Sequence, residues 1–125
     1  INLHADDAVV NVNFWITPRS ANLDPKTGGL IIHDAAAPQE WAYDVAYTGD
    51  DTGHIHKYLE EKNSKKITIP YAENRAAIFN SSLFHETDTF RFKAGYVNRR
   101  INITMLFGGR KARRLTKSQP IPKTT

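Results

Sequence analysis

Hydrophobic residues in this 125-residue chain fall in short runs, several of them alternating with polar positions, and turn-forming residues separate the runs. Residues 8–17, AVVNVNFWIT, alternate in part and are rich in β-branched and aromatic side chains. That pattern predicts a strand, and Pro18 stops it. Residues 20–29 hold Asn22, Asp24, Pro25, Gly28 and Gly29, a turn-rich connection. LIIHD (30–34) predicts a short buried strand and KITIP (66–70) another, ended by Pro70. AAIFNSS (76–82) and LFHETD (83–88) predict two strands or one bent strand. Residues 89–96 predict a hairpin excursion containing Gly95, and NRRINITMLFG (98–108) a final strand. Helical signals are few. HIHKYLEEKN near 54–63 is the one convincing helix, with Asp51 or Thr52 as its cap. Residues 35–53 read as irregular, with aromatic anchors at Trp41, Tyr43 and Tyr47. Six short strands and one helix predict an antiparallel sandwich or barrel.

Charge divides the chain. The net charge is +4, from 17 basic and 13 acidic residues. Residues 109–125 hold Arg110, Lys111, Arg113, Arg114, Lys117 and Lys123 and no acid, so the rest carries 11 basic against 13 acidic residues. The expected organisation is one domain over 1–108 and a basic, flexible tail over 109–125. The tail reads as a solvated terminus or as a phosphate-contacting arm, and nucleic-acid contact is expected only through it. No apolar run approaches the roughly 20 residues of a membrane span. No secretory signal opens the chain, and without cysteine there is no disulfide, thiolate site or cysteine nucleophile. These features lead us to expect a cytoplasmic protein.

Candidate chemistry gathers at three places. His4 and Asp6 are two residues apart, and in extended chain such residues face one side. Asp7 offers an alternative carboxylate, although the spacing favours Asp6. His85 lies far along the chain in a strand-like segment that an antiparallel neighbour could return to the same spot. Two imidazoles and one carboxylate leave three positions of an octahedron open, the facial arrangement of non-haem Fe(II) oxygenases. Arg100 opens the final strand, and a fixed guanidinium can hold a carboxylate bidentately. Arg100, Asn102 and Thr104 share one strand face, whereas Arg99, Ile101, Ile103 and Met105 share the other. The polar set suits a metal site better. Asn11 and Asn13 also alternate; they would bond a ligand or order water, or be buried and satisfied by backbone.

His-x-Asp, a distal His and a downstream Arg-x-Asn, together with VNVNFWITP, NRAAIFNSSLFHETD and NRRINITMLFG, resemble a bacterial branch of the Fe(II)- and 2-oxoglutarate-dependent oxygenase superfamily. The likeness covers residues 3–108. It implies an all-β double-stranded β-helix, or jelly roll, with one short helix. His4 and Asp6 would end its second strand, His85 lie on the seventh and Arg100 on the eighth. It further implies His4, Asp6 and His85 as Fe(II) ligands and Arg100 as the anchor of 2-oxoglutarate, with Asn102, Asn11 and Asn13 as further residues binding the co-substrate. The co-substrate would become succinate and CO2 while a small-molecule or peptide substrate is hydroxylated. The gap from His85 to Arg100 is longer than in the family, so residues 89–96 must bulge out. The chain opens on Ile1 just before the first motif, so the family's first strand, most of its second and its N-terminal helices are expected to be missing. An eighth strand left without that neighbour has an open edge, where a homodimer could form.

Simpler roles compete. His33, and His54 with His56 at a helix start, are expected to be structural. Phe14, Trp15, Phe79, Phe84 and Phe107 are expected in the core or lining the pocket, Asp50–Asp51 in a solvated loop and Glu60–Glu61 on the helix's exposed face. Rival functions are a cupin-like metal or small-molecule binder without oxidation chemistry, and a non-catalytic remnant.

Overall fold

The computed structural model describes residues 2–109; the basic tail, beyond Gly109, lies outside the described residues. Six strands form: β1 (Val10–Trp15), β2 (Leu30–Ala36), β3 (Lys66–Ile69), β4 (Ala76–Asn80), β5 (Leu83–Thr87) and β6 (Asn102–Phe107). They make two three-stranded antiparallel sheets, ordered β4-β1-β6 and β3-β2-β5. All six lie where the hydrophobic pattern puts them; five have trimmed ends, whereas β2 runs on to Ala36, into the stretch 35–53 expected to be irregular, which also holds a short helix at Tyr43–Ala46. Residues 76–88 make two strands rather than one bent strand. Residues 98–101 form no strand, because a 3-10 turn at Tyr96–Asn98 precedes β6. Among the described residues no helix is long and apolar enough to cross a membrane.

Alternation gives each sheet an inner face. On β1, Asn11, Asn13 and Trp15 are buried while Val10, Val12 and Phe14 are only half-buried. The inner faces meet in a cluster of Trp15 and Ala77 from one sheet and Leu30 and Ile32 from the other, closed by Tyr71. Tyr71 stacks on Trp15 with ring centres 5.4 Å apart and donates its hydroxyl to the Thr17 carbonyl at 2.6 Å.

The outer face of β3-β2-β5 is covered. Helix α1 (Tyr43–Ala46) and helix α2 (His54–Glu61) bring Ala46, Ile55 and Leu59 against Phe84, Leu3, Ala5 and Ala37. Ile55 and Leu59 are four apart and so share one helix face. The left-handed Asn63 (φ 52°) ends the helix, and Ser64 N–H donates back to Leu59. The cap is neither Asp51 nor Thr52. Asp50 accepts from the N–H groups of Ile55 (2.7 Å) and His56 (3.1 Å), and its side chain is 3% exposed rather than solvated. Gly53, at φ 74°, turns the chain so that the earlier residue reaches the helix start.

Among the described residues nothing covers the outer face of β4-β1-β6. Ile78, Ile101, Ile103, Met105 and Phe107 are exposed there, beside half-buried Val10, Val12 and Phe14. Phe107 is therefore not in the core, because the register Val10↔Phe107 sets it on the outer side with Val10. The expected excursion at 89–96 folds back along residues 21–28, through Leu23 N–H to Arg91 O (2.9 Å), Lys93 N–H to Ala21 O (2.9 Å) and Gly28 N–H to Thr89 O (2.8 Å).

Candidate metal centre

The segment just before β1 builds the site by alternation. Leu3 and Ala5 point outward into the helix-covered core, so His4 and Asp6 point inward. A two-way backbone bridge fastens His4 to His85, with N···O distances of 3.1 and 2.9 Å. Asp6 N–H donates to Ser81 O at 2.8 Å. His85 itself faces Ile32 across β5 and β2, on the inner side.

Each imidazole is locked from behind. His4 Nδ1 lies 2.6 Å from the Asn2 carbonyl and His85 Nδ1 lies 2.9 Å from the Leu83 carbonyl. A carbonyl only accepts, so both Nδ1 atoms carry hydrogen. In neutral rings both Nε2 lone pairs then face forward. They meet the same carboxylate: His4 Nε2 is 3.5 Å from Asp6 Oδ1, and His85 Nε2 is 3.2 Å from Asp6 Oδ2. One ligand atom from each of the three residues lies within 4.8 Å of the others. Three acceptors turned on one another repel unless a cation, whether proton or metal, lies between them. Asp6, not Asp7, completes this group.

Titration follows the same logic. Burial works against charge on His4, but the Asp6 hydrogen bond, the Asn2 carbonyl and the Asp6 charge outweigh it and raise the imidazole above 6.5. Burial would raise Asp6, yet hydrogen bonds from His4 and His85 and their charge hold the carboxyl well below the usual carboxylate range.

Arg100 enters from the other sheet. Its Nε donates to Gly28 O (2.6 Å), Nη2 to Gly29 O (3.1 Å) and Nη1 to Asn102 Oδ1 (3.2 Å). Its guanidinium lies 5.4 Å from the centre of the Phe90 ring. The glycines are required here. A Cβ at Gly29 would sit 1.8 Å from Ile69 O, and Gly28 has φ 86°. Burial disfavours the charge on Arg100, with Tyr71 opposing in part. Among the described residues no carboxylate forms an ion pair with it. Two of its five N–H groups remain for an anion.

All seven residues singled out in the sequence, His4, Asp6, His85, Arg100, Asn102, Asn11 and Asn13, line one cavity of about 70 Å³, with Leu30, Thr87 and Thr104. No protein-family model, no curated protein and no solved structure matches this chain. The inner and outer sets of the last strand fall as the alternation requires, with Arg99 outside against Tyr96 at 5.6 Å.

The remaining histidines do other work. His33 is buried on the outer face of β2, its Nε2 3.7 Å from Glu86 Oε1. His54 and His56 both contact Asp50, and His54 Nε2 also reaches Val45 O at 2.6 Å, which ties α2 to α1. For Asn11 and Asn13 the alternation of β1 predicts only a ligand-binding or a buried role. Asn11 in fact donates to the Asp6 carboxylate and Asn13 to Asn11 Oδ1, an arrangement invisible there because it depends on how the segment before β1 folds back.

Proposed function

We propose that this domain is a jelly-roll oxygenase dependent on Fe(II) and 2-oxoglutarate, in which His4, Asp6 and His85 hold the iron and Arg100 anchors the far carboxylate of the co-substrate. One observation carries the reading. A group of three facing acceptors, which needs a cation, and a guanidinium without a carboxylate partner line the same cavity. Strand order supports it. If β1 to β6 are the third to eighth strands of a double-stranded β-helix, the neighbours β4-β1-β6 and β3-β2-β5 are the ones expected, and the His4–His85 bridge stands for the pairing of the second strand with the seventh. A cysteine-free chain also suits a reducing, cytoplasmic setting.

The donor set fits Fe(II): imidazole and carboxylate, no thiolate, and only three of six coordination positions taken by the protein. Iron bound there supplies the chemistry by which dioxygen and 2-oxoglutarate give succinate and CO2 while a C–H bond of a small-molecule or peptide substrate is hydroxylated. The chain's own residues hold and orient. Asn2 and Leu83 carbonyls keep both imidazoles in the metal-binding tautomer. Gly28 and Gly29 carbonyls fix the guanidinium plane, and the stacked Phe90 covers it. Calorimetric titration of 2-oxoglutarate in the presence and absence of Mn(II) tests the reading. We expect metal-dependent binding, weakened about 100-fold in Arg100→Ala, since a charged hydrogen-bonded pair contributes roughly 1.5–3 kcal/mol. Equal binding by both proteins would remove Arg100 from the site.

A second reading has its own support. Arg100 already makes three hydrogen bonds within the protein, which suits a structural guanidinium in a cupin-like metal or small-molecule binder without oxidation chemistry. Metal-dependent release of succinate from 2-oxoglutarate separates the two, and absence of both metal and 2-oxoglutarate binding would point to a non-catalytic remnant.

A further inference from the structure

Between the metal ligands and Arg100 runs an unbroken line of side-chain amides. Asn11 Nδ2 donates to Asp6 Oδ2 at 2.5 Å, and Asn13 Nδ2 donates to Asn11 Oδ1 at 2.7 Å. Asn102 Nδ2 donates to Asn13 Oδ1 at 3.1 Å, and Arg100 Nη1 donates to Asn102 Oδ1 at 3.2 Å. Asn11 is fully buried and Asn13 is 6% exposed, so neither can exchange its partner for bulk water. An amide can be turned over, exchanging donor for acceptor. Here the two ends forbid it. Arg100 can only donate, so Asn102 must present oxygen to it and nitrogen onward. Asp6 as a carboxylate can only accept, so Asn11 must present nitrogen. Every amide between them has one permitted orientation, and all three dipoles point their donors toward Asp6.

We infer that Asn11, Asn13 and Asn102 are positioning residues that hold the Asp6 carboxylate in its metal-binding pose before any metal arrives. The inference rests on the reading of His4, Asp6 and His85 as metal ligands. Asn11 occupies one lone pair of Oδ2 and fixes the rotation of the carboxylate, leaving its other lone pairs toward the imidazoles. Asn13 prevents Asn11 from turning its oxygen to Asp6. Asn102 does the same for Asn13, and Thr104 Oγ1 adds a second donor to Asn13 Oδ1 at 3.1 Å. Arg100 sets the direction of the whole line. Hydrogen bonds in series polarise one another, and groups that orient a metal ligand typically change metal affinity 10- to 100-fold when removed.

The direction of the line gives a test with a sign. Mn(II) alone, without 2-oxoglutarate, is titrated into the wild type, Asn13→Leu, Asn13→Asp and Asn102→Leu, with thermal melting measured in parallel. Asn13→Leu should weaken Mn(II) binding about 10-fold. Asn13→Asp is the sharper variant. Coulomb attraction alone says that a new carboxylate near the site tightens a cation. Carboxylate at 13 has no N–H for Asn11 Oδ1, so the line says that Asn11 turns its oxygen to Asp6 and binding weakens about 10-fold or more. Asn102→Leu changes a half-exposed edge position that should not threaten folding, and should cost a smaller factor of about three. A lower melting temperature with unchanged Mn(II) affinity in all three variants, or tighter binding in Asn13→Asp, would overturn the positioning role and leave the metal reading standing. Failure of the wild type to bind Mn(II) would overturn both.

Discussion

The β3-β2-β5 sheet and the β4-β1-β6 sheet are each three antiparallel strands, and each turns one face to the shared interior. On the other side they differ. The first is roofed by α1 and α2, with Phe84 wholly buried beneath Ile55 and Leu59. The second leaves Ile78, Ile101, Ile103, Met105 and Phe107 exposed on its outer face. The inner faces differ in the opposite sense. The roofed sheet offers His85 to the cavity and holds His4 at its edge, while the bare sheet offers the amides and follows Arg100. An apolar stripe on a strand says that a face wants cover, not that the chain supplies it.

The comparison breaks most visibly in stability. Phe84→Ala should lower the free energy of unfolding by about 3–5 kcal/mol. Ile78→Thr, although it also removes a large apolar side chain, should change it by only about 0.5 kcal/mol. Denaturant titration of both measures the contrast, and similar losses would mean that the second face is covered after all. Self-association sharpens it next. We propose that the open edge of β6, a strand without charge or proline, pairs with a second copy. Sedimentation should then show a dimer. Met105→Lys should weaken it about tenfold, or about 1.4 kcal/mol, with unchanged melting of the monomer. A monomeric wild type at all concentrations tested would end that idea.

The third contrast is in pH. The titrating imidazole of His4 stands at the edge of the roofed sheet, whereas the amides do not titrate. His4 is raised above 6.5, so a proton is held there up to a pH higher than that. Metal must displace this proton. Affinity for Mn(II) should therefore be flat above the raised value and fall up to about tenfold per pH unit below it. The depressed Asp6 adds no loss until far more acid conditions. Calorimetry between pH 5.5 and 8.5 reads the slope; affinity that rises on acidification would contradict the tautomers deduced from Asn2 and Leu83. The smallest effect should come from Phe90→Leu, which removes the ring stacked on Arg100 and should weaken 2-oxoglutarate binding by about twofold to fivefold, the scale of one partly exposed cation–π contact.

Much of this was legible along the chain because strands have a period of two. The alternation in AVVNVNFWIT and in the last strand separates Asn11 and Asn13 from Val10 and Val12, and Arg100, Asn102 and Thr104 from Ile101 and Ile103. The spacing of His4 and Asp6 works for the same reason. Other features depend on partners distant in sequence. Asp50 caps α2 only because Gly53 reverses the chain between them, so a search at the residues next to the helix finds Asp51 and Thr52 instead. Phe107 looks like core by composition and lies outside by register. The line of amides needs both the β1–β6 register and the fold-back of residues 4–6.

The tight contact at Gly29 has a bearing on how this site could change over generations. Any side chain there collides with the Ile69 carbonyl, and two of the three acceptors gripping Arg100 are main-chain atoms that no codon can alter. Drift toward a different anion would thus have a narrow choice: replace the arginine itself, the Asn102 amide that meets it, or the ring beside it. The anchor's cradle is heritable as shape rather than as chemistry, and it would outlast many changes in what the rest of the cavity admits.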